Sequence, residues 1–249
     1  MLDVEKVLRK QWRRARARFH RTAASPLEVE RAEQIFYLEY LRDGMIVFDV
    51  GANIGELTLL FSRFVGAGEV HSFEPGKECF ARLSAVCRAA NLRNVRLNQC
   101  ALAEAEGKRD LHVYDDTHLG WNSLARRPLQ NYGIEVRPPV IEEIRATTLD
   151  VYCTGRDVER IDLLKIDVEG AEFDVMRGAE KMLRERRVGC VAFEFGQATF
   201  DMGHAPAEIV DYLKKLNYRV SNVVAGDPVF PGGRDVRTAQ FSMHIAYPK

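Results

Sequence analysis

The sequence is poor in the features that mark secreted, zinc-binding and membrane-spanning proteins. Its five cysteines are odd in number and scattered over 249 residues, and no two of them form a CxxC pair. Such usage is typical of reduced, mostly buried thiols in a cytoplasmic protein, and it argues against a zinc site. No apolar run approaches the roughly 18 residues that cross a bilayer. No apolar segment follows the basic N-terminus, as it would in a secretory signal.

The chain also lacks an excess of charge of either sign. Its 36 Lys and Arg residues balance 36 Asp and Glu residues, which argues against nucleic acid as a specific partner. The balance hides a local asymmetry, because residues 1–21 carry eight Lys or Arg against Asp3 and Glu5. We interpret residues 1–24 as a basic N-terminal helix. It either contacts an anionic membrane or a protein partner, or packs on the rest of the chain with its basic face in solvent.

Residues 25–249 instead show a regular alternation of apolar strands and helices. Strands are predicted at residues 45–50, 69–75, 95–102, 161–168, 188–195, 218–224 and 240–247. Helices are predicted at residues 26–41, 54–65, 76–90, 171–185 and 206–217. Near-continuous apolar strands that alternate with helices indicate one α/β domain, built on a mostly parallel sheet covered on both faces.

One region interrupts the alternation. Residues 107–149 are polar and rich in turns, and short strands on either side of turns fit them better than a helix does. An insertion at the ligand edge of a doubly wound sheet commonly shapes a substrate pocket. A surface hairpin without a role in binding is the alternative.

The turn after the first strand, "DVGANIG", is the prime ligand position in such a sheet. Gly51 fits the first position of the dinucleotide motif GxGxxG, but Asn53 and Glu56 occupy the other two glycine positions. Glu56 would repel a phosphate near the start of the helix, although it would not repel a cation. The turn therefore argues against an NAD-type oxidoreductase and favours S-adenosylmethionine, which carries a sulfonium and an amino group.

Two acids agree with this ligand. Asp49 ends the first predicted strand, where its carboxylate would point towards a bound cation or the water around it. Glu74 ends the second predicted strand, 23 residues after Gly51, at about the spacing of an acid that accepts both hydroxyls of a ribose. The alternative for Glu74 is an acid that stabilises the N-terminus of the following helix.

With "FDVGANIG", "FEP" and "LLKIDVEGAEFDVMRGAEKML" in view, the sequence resembles the FkbM-type S-adenosylmethionine-dependent methyltransferase family over about residues 44–195. The segment "TLDVY", residues 148–152, is similar to the family's Thr-Leu-Asp segment. The resemblance implies a class I methyltransferase (Rossmann-like) fold, a doubly wound, mostly parallel sheet of seven strands whose last strand runs antiparallel. It also implies S-adenosylmethionine as cofactor and, in most members, O-methylation of natural products or glycans.

The resemblance and the turn together predict the cofactor site. Its cofactor-binding residues are Asp49, Gly51, Asn53 and Gly55 at the turn, Glu74 at the ribose, Asn98, Ala101 and Leu102 beside the adenine, and Asp167 at the active face.

Methylation of an alcohol needs a group that accepts the proton of the hydroxyl. Asp167 and Glu169 follow the fourth predicted strand, and we expect the turn at Gly170 to splay them, one towards the cofactor and one towards the acceptor. Glu194 is a third acid at the same edge. His118 in the insertion is a further catalytic candidate, since histidine titrates near neutral pH, and a solvated loop histidine is its alternative.

The spacing of these three acids permits a Mg²⁺ ion but does not require one, and we predict no metal site. We interpret Glu172 and Asp174 as acids of a first helical turn that support the helix dipole. The predicted function is O-methylation of a hydroxyl on a sugar, a glycan or a secondary metabolite. The alternatives are an N- or carboxyl-methyltransferase of the same fold and a non-catalytic nucleoside-binding module.

Overall fold

The computed structural model describes residues 24–115, 117–230 and 241–249. Except for Ala24, the predicted basic helix lies outside the described residues. Among the helices that are described, none combines the length and the apolar character of a transmembrane span.

Ten strands and eight α-helices are described. The strands are β1 (Ile46–Val50), β2 (Glu69–Phe73), β3 (Val95–Asn98), β4 (Ala101–Leu102), β5 (Gly107–Val113), β6 (Val140–Thr147), β7 (Ile161–Ile166), β8 (Val188–Phe195), β9 (Tyr218–Asn222) and β10 (Ser242–Pro248). The helices are α1 (Pro26–Tyr40), α2 (Glu56–Val65), α3 (Lys77–Ala89), α4 (Leu149–Gly155), α5 (Glu172–Arg177), α6 (Glu180–Arg184), α7 (Gln197–Asp201) and α8 (Pro206–Lys215).

Seven strands form the main sheet, in the order β3-β2-β1-β7-β8-β10-β9. Its parallel pairs are β3–β2, β2–β1, β1–β7 and β7–β8, whereas β10 runs antiparallel to both β8 and β9. The strand order reverses beside β1, between β1 and β7, and a ligand site is expected at this point in an open α/β sheet. The predicted fold class is confirmed.

The central strands are mostly apolar because both of their faces are covered. Successive side chains of a strand point to opposite faces. Accordingly Phe48 and Leu164 belong to one buried cluster, and their neighbours Val47 and Leu163 belong to a second cluster on the other face. This packing fixes the carboxyl ends of β1 and β7 side by side.

Two predicted elements are divided in the structure. The strand predicted at 95–102 splits after Asn98, and its second half, β4, pairs with β6 in a separate sheet. The helix predicted at 171–185 breaks between α5 and α6. At this break the backbone of Gly178 approaches a neighbouring segment so closely that a Cβ there would lie 2.0 Å from the carbonyl oxygen of Ala103.

The insertion forms a sheet of its own, in the order β4-β6-β5. Strands β5 and β6 pair antiparallel over their whole length, from Gly107 opposite Ala146 to Val113 opposite Val140. The short strands predicted on either side of turns are therefore confirmed. An isolated bridge between His112 and Ser123 returns the connecting segment to β5.

Candidate active site

The glycine turn joins β1 to α2 at the carboxyl edge of the sheet. Gly51 has a φ of +78°, and the backbone N–H groups of Gly51 and Ala52 both donate to the carbonyl of Phe73 at 3.0 Å. A Cβ on Gly51 would lie 1.8 Å from the carbonyl oxygen of Asp167. Only glycine meets both the dihedral angle and the close approach of the next strand.

A buried lysine beneath the turn was not predicted. The Nζ atom of Lys165 donates to the carbonyl of Gly51 at 2.8 Å and lies 3.1 Å from the carboxylate of Asp49. Burial lowers the pKa of Lys165, but the charges of Asp49 and Asp167 outweigh burial and raise it. The signal in the sequence was a lysine between Leu164 and Ile166, in the apolar second half of the strand "IDLLKI".

The prediction that Asp49 points towards the ligand is therefore not what the structure shows. The Asp49 side chain is fully buried, and one of its oxygens accepts a hydrogen bond from Thr58 at 2.6 Å. Its carboxylate neutralises Lys165, which in turn holds the backbone of the turn. Asp49 therefore stabilises the glycine turn through Lys165, from the buried side of the turn.

Glu74 follows β2 and is fixed by the backbone on either side. One carboxylate oxygen accepts the N–H of Asn53 at 3.0 Å, and the other accepts the N–H of Gly76 at 2.9 Å. Burial raises the pKa of Glu74 to about 7 although both hydrogen bonds lower it. Each oxygen keeps a further lone pair, so the carboxylate is oriented in advance to accept hydroxyl donors.

These residues open into a cavity at the reversal point of the strand order, the place where ligands bind in open α/β sheets. The lining residues include Gly51, Asn53, Glu74, Cys100, Ala101, Leu102, Leu111, Gly120, Asn122, Leu124, Asp167 and Glu169. The side-chain oxygen of Asn53 is buried there and has no hydrogen-bond partner within the described residues. A ligand that donates to this oxygen would satisfy it.

The three acids predicted at the active face converge instead of splaying. One carboxylate oxygen from each of Asp167, Glu169 and Glu194 lies within 4.8 Å of the others. Burial raises the pKa of Glu169 to about 8, and the charge of Asp167 adds to this rise. Burial also raises the pKa of Glu194 well above its ordinary value, and the charges of Asp167 and Glu169 act in the same direction. The cluster therefore retains protons near neutral pH.

Sequence reasoning also missed the two residues of the insertion that bind Glu169. The guanidinium of Arg127 lies 2.8 Å from the Glu169 carboxylate and 3.4 Å from that of Asp201. The hydroxyl of Ser123 donates to the backbone carbonyl of Glu169 at 2.7 Å. Glu169 itself has a φ of +53°, a conformation that non-glycine residues rarely adopt. Two residues of the insertion thus fix Glu169, whose backbone conformation is strained, at the active face.

Besides Asp49 and Glu194, three predicted site residues lie outside the cavity lining. Gly55 caps α2 in a left-handed conformation and packs against Leu83. The side chain of Asn98 donates to two backbone carbonyls of the sheet edge. His118 is bonded to Asp115 at 2.7 Å within its own loop. Local hydrogen bonds and packing therefore account for all three.

The two acids interpreted as supports of a helix dipole differ in their surroundings. Glu172, in the first turn of α5, is almost wholly buried, and one of its oxygens accepts the N–H groups of Val168 and Gly170. Asp174 lies 3.1 Å from the ring of His204. Glu172 thus holds the loop that carries Glu169 rather than facing solvent.

Comparisons with known proteins agree with this geometry. The model of the methyltransferase FkbM domain matches residues 49–220. The chain is 33% identical over 213 residues to the 31-O-demethyl-FK506 methyltransferase FkbM of Streptomyces tacrolimicus, covering 77% of this chain and 78% of that protein. This chain belongs to the FkbM methyltransferase family. It is an S-adenosylmethionine-dependent methyltransferase.

Further relatives extend the comparison. The methyltransferase is 30% identical over 152 residues to the 2-O-methyltransferase NoeI of Sinorhizobium fredii, covering 57% of this chain and 60% of that protein. Its fold is similar to a methyltransferase FkbM from Methylobacillus flagellatus KT, with a TM-score of 0.50, 15% identity, and 86% and 50% of the two chains covered. An rRNA methylase from Streptococcus thermophilus gives a TM-score of 0.51 at 15% identity, with 91% and 100% covered.

The residues of this methyltransferase fit its cofactor. The oxygen of Asn53 offers an acceptor to a donor such as the ammonium of the methionine end. Glu74 offers a preset carboxylate to a diol. The absence of a side chain at Gly51 lets the turn pack directly against the backbone of Asp167. Asn53 and Glu74 thus offer acceptors that suit an ammonium group and a ribose diol better than a pyrophosphate.

Proposed function

We propose that this methyltransferase transfers the methyl group to a hydroxyl oxygen of a small acceptor, such as a sugar, a glycan unit or a hydroxylated secondary metabolite. The observation that carries the proposal is the acid cluster, in which Asp167 and Glu169 line the cofactor cavity and Glu194 lies next to them. An alcohol is a weak nucleophile until its proton is removed, and a buried carboxylate near the acceptor can remove it. Two relatives whose names state O-methylation support the same reaction.

Glu169 is the proposed general base. Its pKa of about 8 suits proton transfer at mildly alkaline pH, because a base is most effective when its pKa lies near the operating pH. Arg127 holds one of its oxygens, so the other remains available to an acceptor hydroxyl. The cofactor supplies an activated methyl group on a sulfonium. The protein's remaining tasks are to align the acceptor, to accept its proton and to exclude water.

The charge of the cluster also constrains the acceptor. Several carboxyl groups converge at this face, and the nearby cation Arg127 is already paired with Glu169 and Asp201. At the mildly alkaline pH at which Glu169 is ionised, a phosphate-rich acceptor would be repelled, whereas neutral polyhydroxylated compounds could donate to these oxygens. We propose that residues 107–149 of the insertion shape this acceptor side, since Ser123 and Arg127 reach it.

Methyl transfer from radiolabelled S-adenosylmethionine to panels of sugars and hydroxylated metabolites tests the proposal, with matched amines and carboxylic acids as comparators. We expect product only with hydroxyl acceptors. Glu169→Gln should lower kcat by roughly 10²–10⁴-fold without weakening the binding of S-adenosylhomocysteine. Glu143→Gln is the matched control, because this exposed glutamate of β6 pairs with Lys108 away from the cavity. Methylation of amines alone would refute the proposal.

The same assay distinguishes a base from a metal site. The three clustered oxygens are close enough together for one hard cation to bind them. We expect full activity in EDTA, because the proposed base acts without a metal. Loss of activity in EDTA and its recovery with Mg²⁺ would assign these acids to a cation instead.

A further inference from the structure

A short segment of the insertion closes one side of the cofactor cavity. Gly120, Asn122 and Leu124 all line the cavity that also contains Glu74. The residue between the last two, Ser123, points the other way and donates to the backbone of Glu169. The bridge between His112 and Ser123 shows that the chain is extended at Ser123, and successive side chains of an extended chain point to opposite sides. Asn122 and Leu124 therefore face the cofactor site.

Asn122 is the polar member of this group, and its orientation is fixed. The backbone N–H of Tyr114 donates to the side-chain oxygen of Asn122 at 2.9 Å. Because an N–H group needs an acceptor, the amide nitrogen must occupy the opposite side of the side chain. Among the described residues, that nitrogen donates to the sulfur of Cys79, a weak acceptor, at 3.7 Å and to no other acceptor. The side-chain amide of Asn122, which has two donor hydrogens, thus lines the cavity and can donate a further hydrogen bond to a ligand.

The amide nitrogen of Asn122 and the carboxylate of Glu74 both lie close to Gly76. A Cβ placed on Gly76 would be 3.1 Å from an oxygen of Glu74 and 3.8 Å from the amide nitrogen of Asn122. These two polar atoms are therefore at most about 7 Å apart. One hydroxyl can donate to a carboxylate and accept from an amide at about 2.8–2.9 Å each. A ribose hydroxyl meets both requirements.

We propose that Asn122 is a cofactor-binding residue, which donates from its side-chain amide to a ribose hydroxyl that in turn donates to Glu74. The insertion thus contributes to nucleoside recognition as well as to the acceptor side. Its position is preset without ligand, since Tyr114 and the Ser123 bridge hold the segment on both sides. This inference depends on the cofactor and not on the chemical class of the acceptor.

Calorimetric titration of the full chain with S-adenosylhomocysteine tests the proposal. Asn122→Asp keeps an oxygen for the N–H of Tyr114 but removes the donor and places a charge near Glu74. We expect it to weaken binding at least about tenfold. Asn131→Asp is the matched control, because Asn131 belongs to the same insertion but lies outside the cavity lining. This control should bind like the wild type, and thermal unfolding should show that both variants are folded.

A second measurement compares cofactor analogues in the wild type and in Asn122→Asp. Analogues of S-adenosylhomocysteine that lack the 2′- or the 3′-hydroxyl should bind at least about tenfold more weakly for the hydroxyl that bridges Asn122 and Glu74. In Asn122→Asp this difference should shrink. Unchanged affinity in the folded Asn122→Asp variant, or equal binding of both deoxy analogues by the wild type, would overturn the proposal. Intact binding without methylation of any hydroxyl would contradict the proposed reaction instead.

Discussion

Replacing Glu74 by glutamine tests the core of the cofactor site, because it removes the charge with little change of shape. The glutamate accepts backbone N–H groups from both Asn53 and Gly76. A glutamine can accept only one of them at its oxygen, and its NH₂ group would face the other N–H. The variant therefore loses charge-assisted acceptors for the ribose and leaves one donor without a partner.

The magnitude follows from these bonds. A hydrogen bond to a charged group contributes about 1.5–3 kcal/mol, so Glu74→Gln should raise the Kd of S-adenosylhomocysteine by roughly 10- to 100-fold at pH 8. The pKa of Glu74 is about 7, so about a tenth of the wild-type protein is ionised here at pH 6 and about nine tenths at pH 8. If the ionised form binds, wild-type affinity should rise about tenfold over this range.

Isothermal titration calorimetry between pH 6 and pH 8 gives both quantities. The wild type should bind more tightly as the pH rises, whereas Glu74→Gln should bind weakly with a flatter profile. Glu78→Gln is a suitable control, since Glu78 is exposed on α3 and pairs with Arg82. A wild-type profile that stays flat, or a variant that keeps the wild-type slope, would refute the role of Glu74.

Three further predictions concern stability and the turn. Gly51→Ala should abolish binding of S-adenosylhomocysteine and lower the Tm, because its Cβ would meet the carbonyl of Asp167 at 1.8 Å; a thermal shift assay with and without ligand checks both. Lys165→Met should reduce the free energy of unfolding in urea by about 3–5 kcal/mol, since it leaves the carboxylate of Asp49 buried without its cation; a loss below 1 kcal/mol would contradict this. Burial raises the pKa of Glu172 from 4.5 to about 7, so the stability it contributes is complete below pH 4.5 and is lost as the pH rises through 7. Denaturation of wild type and Glu172→Gln should show up to about 3 kcal/mol more loss in the wild type between pH 5 and pH 8, and parallel curves would count against it.

The sequence was sufficient for the fold because the fold depends on local patterns. The apolar run predicted at 188–195 coincides with strand β8, and the helix predicted from Ser25-Pro26 begins at Pro26 with Ser25 as its N-cap. Fully covered strands need apolar residues on both faces, and helices need caps, so both signals are written in consecutive residues. The predicted element boundaries were wrong where a contact between distant residues decided them, as at the break near Gly178.

The site divides in the same way. The turn at Gly51 and the acid at position 74 could be read from the sequence, because a strand end and a fixed spacing place them at one edge. The convergence of Asp167, Glu169 and Glu194 required the structure. The position of Glu169 depends on hydrogen bonds from Ser123 and Arg127, which are distant from it in the sequence.

Sequence alone thus determined the family, the cofactor class and the edge of the sheet at which it binds. Only the tertiary structure decided which side chains face the cavity. It turns Asp49 inward to Lys165 and brings Asn122 into the same cavity as Glu74, although 48 positions separate them in the chain. The physical reason is that periodicity fixes which way a residue points relative to its own element. The partner that it meets depends on how the elements pack.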